Sequence, residues 1–481
     1  MTQAISELEP RALWARFDDL RRIPRPSFEE ERVRRFVLDF AAAHGCATET
    51  DAAGNAVVRV PATPGHEAAP TVVLQGHLDM VCEKNADKEF DFRRDPIQLR
   101  LEGDLLRADG TTLGADNGVA VAAGLALITD APRPHGPLEL LFTVAEEVGL
   151  KGAQQLDPSL VRGRLLLNLD SELEGVITIG CAGSRSVQIV MPCRRGAVPD
   201  LPAFRITASG GRGGHSGVDI HLGRANALRV LVDLLQRLEG GALVSLEGGN
   251  AGNAIPREAQ AVVYASAAAL ERALQATADE CRRTFAASDP ALRLEHQPLA
   301  SAGAPLDAAT TRELLALLAD LPVGALAMSP ELPDLVQTSN NLATVRCDET
   351  EIRILCSTRS SVQAELDATV ERILALAEGH GARAEADRGY PGWQPDPESS
   401  LLATAVAVHR RLFGGEPEIT AIHAGLECGL IGHKIPGMDM ISIGPTIRNP
   451  HSPFEEVSVS SVKTVLGDYL NALLEELSAP S

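Results

Sequence analysis

Thr71-Val72-Val73-Leu74-Gln75-Gly76-His77-Leu78-Asp79 decides the fold class of this chain. A short run rich in Val and Leu reads as a strand buried on both faces. It stops at an imidazole and a carboxylate, and residues two apart in extended chain lean to the same side, so His77 and Asp79 share a face. The same pattern recurs. Leu138 to Val144 runs into Ala145-Glu146-Glu147, Leu165 to Leu167 into Asn168-Leu169-Asp170, and Met438 to Ile443 precedes the loop that holds Asn449-Pro450-His451. Gly114-Ala115-Asp116-Asn117-Gly118 stands before Val119 to Ile128, whose small residues predict a tightly packed helix beginning just after Asp116, with that carboxylate near the positive end of the helix dipole. Strands alternating with helices predict an α/β fold whose polar strand ends converge on one sheet edge, the place where open α/β sheets bind ligands.

Outward from that core, Glu7 to Leu20 reads as a helix, and Ile23-Pro24-Arg25-Pro26-Ser27 breaks the chain. Ser27 with Glu30 predicts a capping box for a helix reaching His44, and Asp51 to Val60 predicts a strand interrupted by a turn at Ala53-Gly54-Asn55. From about Gly180 to Tyr390 the acidic and histidine clusters stop. Short strands (Ser186 to Met191, Ala203 to Ala208, Gln260 to Ala265, Ala343 to Val345, Glu351 to Cys356) alternate there with helices (Arg224 to Leu238, Ala267 to Ala287, Ser361 to Glu378). This predicts an inserted α+β domain over residues 181–390, built as two ferredoxin-like halves, although no sequence repeat marks a duplication. The Pro- and Gly-rich stretch Arg388 to Pro397 reads as the return linker. Residues 1–180 and 391–481 then form the first domain, closed by a helix from Ser460 to Leu477.

With 481 residues, 44% hydrophobic and 3% aromatic, the chain can bury two cores. Its 44 basic and 65 acidic residues leave a net charge of -21, a field that repels nucleic acid and anionic membranes and suits small-molecule or peptide partners. The eight cysteines form no C-x-x-C pair, as expected of reduced thiols in the cytoplasm. Glu7, Glu9 and Arg11 leave no apolar leader, and no run approaches about twenty uncharged apolar residues, so neither export nor a membrane span is expected.

Each polar fragment alone has a plain reading as a solvated strand end, a surface loop or a flexible turn. Their conjunction does not: two imidazoles and at least three carboxylates stand at strand ends or loops on both sides of an insertion. A nitrogen and oxygen donor set without thiolate suits zinc, with manganese or cobalt as substitutes. Asp79 is placed to accept the second N–H of a metal-bound His77 and fix its tautomer. Adjacent Glu146 and Glu147, if extended, point to opposite sides, so that one can bind metal while the other faces substrate. His451 lies in a loop stiffened by Pro445, Pro450 and Pro453. Five ligands exceed one tetrahedral zinc, whereas two zinc ions sharing one carboxylate and one water use them all.

These residues resemble the bacterial aminoacyl-histidine dipeptidases (cytosol non-specific or Xaa-His dipeptidases), co-catalytic zinc peptidases related to carnosinases and carboxypeptidases of the G type. The likeness runs from Ile23-Pro24-Arg25-Pro26-Ser27 through Gln75 to Val81, Gly110 to Gly118, Glu146-Glu147-Val148-Gly149, Leu169-Asp170-Ser171-Glu172 and His423 to Gly429, ending at Asn449 to Pro453. Cys82 departs from the proline that such relatives carry. The resemblance implies a mixed-sheet catalytic domain with the inserted domain as a lid. It further implies that His77, Asp116 and Asp170 hold one zinc, that Asp116, Glu147 and His451 hold the other, that Asp79 orients His77, and that Glu146 is the base. On the lid it implies His215, in Gly213-Gly214-His215-Ser216-Gly217, as a transition-state donor, with Asn253 and Arg359 as substrate contacts. Glu427 would meet a free amino terminus.

The reading is a dinuclear zinc hydrolase acting on unblocked dipeptides, Xaa-His among them, with Glu146 moving the proton of a bridging water. The resemblance leaves room for a homodimer. An N-acyl amino acid deacylase or a carboxypeptidase on the same metal core is the rival chemistry, and a non-catalytic metal- or peptide-binding relative is the rival class. The latter would be expected to lose the base or a ligand, and both are present.

Overall fold

In the computed structural model, which describes residues 5–479, the apolar runs that end in polar residues become neighbours in one eight-stranded sheet. Its order is Ala47–Thr50, Ala56–Val60, Leu138–Thr143, Val72–His77, Leu165–Asn168, Asp439–Ser442, Val176–Cys181 and Glu418–Ile422. The central four strands are parallel, pairing His77 with Thr143, Gln75 with Asn168, and Asn168 with Ser442. Parallel neighbours end at the same edge, so the residues that follow these strands emerge side by side. Val72–His77 and Leu138–Thr143 are buried throughout, as their composition requires of strands covered on both faces.

Helix Ala115–Thr129 packs on the central strand and is buried from Ala115 to Leu127. A Cβ on Gly76 would lie 2.3 Å from Asn117 Oδ1, so glycine there permits the close approach. Asp116 and Asn117 depart from helical backbone angles, and regular helix begins after them.

Two compact units emerge. The first comprises the chain up to Gly180, Pro395–Ala421 and the part from Leu426 onward; the second is Cys181–Gln394 with Ile422–Gly425. The short Ile422–Gly425 segment, assigned by the sequence reading to the first domain, joins the second because Ala182 N–H donates to the carbonyls of Ile422 and Ala424. Within the second unit, the strands Arg293–Leu299, Ala203–Ser209, Ala259–Tyr264 and Ala242–Gly248 lie side by side in the order of a βαββαβ half. Val336–Cys347, Glu351–Ser360, Gly183–Pro192 and Arg383–Ala386 form a second such set, and both join in one sheet.

Local expectations failed where side chains found distant partners. Ser27 and Glu30 form no capping box: the helix is Glu31–Ala43 with no side-chain cap, Ser27 Oγ donates to Asp79 at 2.7 Å, and Glu30 Oε1 accepts the N–H groups of Phe28 and Ala145. The opening helix is split, with Ile5–Glu7 as one 3-10 turn and Arg11–Leu20 starting after Pro10, which lacks an N–H. The last helix passes through a π-helical stretch, Lys463–Tyr469. No helix among the described residues is long and apolar enough to cross a membrane, and no disulfide joins any two of the eight cysteines, all of which lie among the described residues.

Candidate metal centre

The centre starts at the last residue of the central strand. His77 is almost fully buried; its Nδ1 lies 3.3 Å from Asp79 Oδ1, while Nε2 lies 3.1 Å from Asp116 Oδ1 and 3.5 Å from Asp170 Oδ1. Asp79 is itself anchored, since Oδ1 accepts the Glu146 N–H at 3.1 Å and Oδ2 the Glu147 N–H at 3.2 Å. One buried carboxylate thus fixes both the imidazole and the turn that carries the two glutamates. Asn117, joined to Asp116 through a cis peptide bond, donates to Leu169 O at 2.9 Å and Asp170 Oδ1 at 2.6 Å.

On the other side of Asp116, Oδ2 lies 3.3 Å from His451 Nε2, which is 3.0 Å from Glu147 Oε2. Two sets of ligand atoms, His77 with Asp116 and Asp170, and Asp116 with Glu147 and His451, each fall within 4.8 Å of one another. Asp116 offers a different oxygen to each set, which is the geometry of a bridge.

The residues fit a pair of cations on their own evidence. Glu147 Oε1 is buried with no partner, an expensive state for a carboxylate unless a cation meets it. Burial opposes charge on His77, yet Asp170, Asp116 and Asp79 overcome it and hold its pKa well above the usual imidazole value. Hydrogen bonds to Asp116 and Glu147 push His451 up to about 11. Burial raises Asp170 to about 6 and Glu146 well above the carboxylate range, with neighbouring carboxylates adding to both. Asp116 is held low: burial opposes its charge, but both imidazoles outweigh it. The field therefore demands positive charge, which divalent cations supply more strongly than protons.

Glu146 and Glu147 do not point to opposite sides. The strand ends at Thr143, Ala145 adopts a left-handed φ of 48°, and the carboxylates of both glutamates come within 4.8 Å of each other and of His77. The pair sits on a turn and not in extended chain, so alternation of side chains does not apply to it. Their surroundings still differ, since Glu147 makes the ion pair with His451. His451 also has a positive φ, 60°, a conformation that costs a non-glycine residue and recurs at functional sites.

Sequence reasoning missed the scaffold of this centre. Glu455, four residues beyond His451 and buried, accepts the N–H groups of Leu113, Gly114, Ala115 and Asp116 at 2.7, 3.0, 2.8 and 3.2 Å. Arg25, also buried, donates to Leu78 O at 3.0 Å, to Asp79 O at 2.7 Å and to Gly114 O. Proximity to the motifs was the one available signal. Glu427 lies in the first unit, fully buried at the start of helix Glu427–Lys434; Oε2 accepts from Gln75 and Thr143, both at 2.6 Å, and Oε1 has no partner. Burial raises its pKa to about 7.

His215, Asn253 and Arg359 belong to the second unit. Gly214–His215 pairs with Ala254–Ile255, and the Ser216 N–H donates to Asn253 O, although the Asn253 side chain is exposed. His215 Nδ1 accepts the N–H groups of Gly217 and Val218 at 3.2 and 3.1 Å, which leaves the proton on Nε2. Burial, with Arg359 adding, lowers its pKa, so the ring is a neutral donor.

The chain is 40% identical over 486 residues to the cytosol non-specific dipeptidase of Escherichia coli (strain K12), covering 99% of each protein. The crystal structure of aminoacylhistidine dipeptidase from Vibrio alginolyticus superposes with a TM-score of 0.92 at 37% identity, covering 98% of both chains. Aminopeptidase PepT from Bacillus cereus, at 16% identity and a TM-score of 0.58 over 98% of this chain and all of its own, shares the fold. Residues 73–475 match the model for peptidase family M20/M25/M40. With that match spanning most of the sequence, the chain belongs to peptidase family M20/M25/M40.

Proposed function

We propose that this chain is a metal-dependent dipeptidase hydrolysing unblocked dipeptides, Xaa-His among them. The observation that carries the reading is the Asp116 carboxylate, with its two oxygens directed at two separate nitrogen and oxygen ligand sets. Kinship with two proteins named as dipeptidases supports the substrate class. His77, Asp116 and Asp170 would hold one cation and Asp116, Glu147 and His451 the other, with zinc the metal best suited and cobalt or manganese able to replace it. Cations held by these residues would supply Lewis acidity for the scissile carbonyl and for a water molecule near neutral pH.

Glu146 takes the proton of the attacking water and delivers it to the departing amine as the C–N bond breaks. Asp79 keeps His77 in the tautomer that presents Nε2 to metal. Within the second unit, the roles proposed are oxyanion donor for the Nε2–H of His215 and terminal-carboxylate contacts for Arg359 and Asn253; within the first, Glu427, through its unpartnered oxygen, is proposed for the free amine. The name of the E. coli relative favours the cytosol as the compartment, and cysteines that form no disulfide among the described residues accord with it.

The test is a substrate panel on protein stripped of metal and reloaded with zinc, manganese or cobalt. Free dipeptides should be cleaved only by loaded protein, with tripeptides, N-acetyl and C-amide forms strongly disfavoured, because a blocked end leaves a charged group of the site unpaired. Preferred cleavage of N-acyl amino acids would establish a deacylase, and release of C-terminal residues from longer peptides a carboxypeptidase. Full turnover by metal-free protein would end the reading.

A further inference from the structure

Three buried polar groups of the second unit lack hydrogen-bond partners on segments that meet at Gly217: Arg359 Nε, His423 Nδ1 and, in the preceding residue, Ser216 Oγ. Arg359 and His423 are each 6% exposed and Ser216 1%. Gly217 stands among them. A Cβ there would lie 2.1 Å from His423 O, 3.1 Å from His215 Cε1 and 3.2 Å from Arg359 Nε, so the histidine loop, the arginine strand and the Ile422–Gly425 segment are in direct contact.

Arg359 donates to Tyr390 Oη at 3.2 Å, and no ion pair among the described residues neutralises it. Its antiparallel partner across the sheet is Ser339, whose Oγ lies 2.7 Å from His423 Nε2. A Ser339 hydroxyl that donates to Nε2 puts the proton of the neutral imidazole on Nδ1, the nitrogen without a hydrogen-bond partner. A buried guanidinium with no carboxylate, on a strand that meets the segments of His423 and Ser216 with their own unpartnered polar atoms, is costly by itself and is satisfied by a bound anion. Burial, reinforced by Arg359 and His215, lowers His423 to about 3, so the ring contributes a donor without adding charge.

We propose that His423, its tautomer set by Ser339, is the second donor beside Arg359 to a carboxylate bound at the His215–Gly217 loop. The proposal rests on the dipeptidase reading, in which that carboxylate is the substrate's C-terminus. His423 then determines specificity: it distinguishes a free terminal carboxylate from its amide, since the amide's NH2 cannot accept the Nδ1–H.

The experiment compares His423→Leu, His423→Asn and Ser339→Ala with wild type, all metal-loaded, on a free dipeptide and its C-terminal amide. His423→Leu should lower the free-over-amide ratio of kcat/KM about tenfold, mainly through KM for the free dipeptide, because a hydrogen bond to a charged group is lost. Metal content should be unchanged. His423→Asn, whose side-chain N–H can take the place of Nδ1–H, should recover most of the ratio, and Ser339→Ala should lose part of it. An unchanged ratio in His423→Leu, or an equal loss on both substrates, overturns the proposal. If His423→Leu fails to fold, a wild-type ratio in Ser339→Ala overturns it equally. If wild type cleaves no dipeptide, the functional reading fails, and calorimetry with L-leucine and L-leucinamide judges His423 alone. A wild-type preference for leucine that His423→Leu abolishes supports the assignment, and equal binding of the two ligands by wild type refutes it.

Discussion

Glu146 and Glu147 share a turn, a charge and a neighbourhood, yet the two side chains have different partners. Glu147 Oε2 is 3.0 Å from His451 and its other oxygen is buried without a partner, the situation of a ligand. Glu146 has its pKa raised well above the usual range, first by burial and then by Asp170, Glu427 and Glu147, against the opposing pull of His77, the situation of a group made ready to accept a proton. Glu146→Gln should therefore keep the full metal complement and lose turnover by about a hundredfold or more. Glu147→Gln should lose metal, most of all from the set that contains His451. Elemental analysis beside steady-state rates separates the two, and near wild-type turnover in Glu146→Gln would move the base elsewhere.

At the scale of elements, the two ligand sets are tied together by Glu455, which belongs to the loop of His451 but grips the four backbone N–H groups leading into Asp116. Such a carboxylate fixes the distance between the His451 loop and Asp116. Glu455→Gln replaces one acceptor oxygen by an NH2 facing two of those N–H groups, and should weaken metal binding about tenfold to a hundredfold with both ligand sets intact, as loss of an orienting partner commonly does. Calorimetric titration of the variant would show it; wild-type affinity would leave Glu455 a purely architectural residue. The strands and the polar residues that end them were legible because burial in a covered sheet leaves a continuous apolar run, and a charged residue at its end has no packing reason to be there. Glu455, Arg25 and the true partners of Ser27 and Glu30 were not. Apart from the Phe28 N–H that Glu30 accepts locally, their bonds cross from 52 residues (Ser27 to Asp79) to 342 (Glu455 to Leu113), while the capping-box rule sees only four. The same limit hid His423, whose meaning comes from Ser339 across the fold of the second unit.

For the molecule as a whole, a net charge of -21 coincides with a first unit that gathers Asp79, Asp116, Glu146, Glu147 and Asp170 around two imidazoles. In metal-free protein those carboxylates keep protons on His77 and His451, the latter with a pKa of about 11 and the former raised well above its usual value. For a raised pKa, the stabilisation it brings is complete below the unfolded imidazole value and disappears only as pH rises through the folded one, so metal-free protein keeps this contribution throughout the neutral range. Metal requires both rings neutral, which reverses the dependence for binding: each proton displaced makes affinity rise with pH and fall on acidification. Loading the two sets near neutral pH should therefore release about two protons per chain from the imidazoles, more where Glu146 and Asp170 still hold theirs. Calorimetry of metal binding in two buffers of different ionisation enthalpy counts them. His451→Gln should release about one fewer, since the field that holds the proton is local to Asp116 and Glu147. Release near zero would mean that the rings were already neutral, and the carboxylate field would not be the force that assembles the centre.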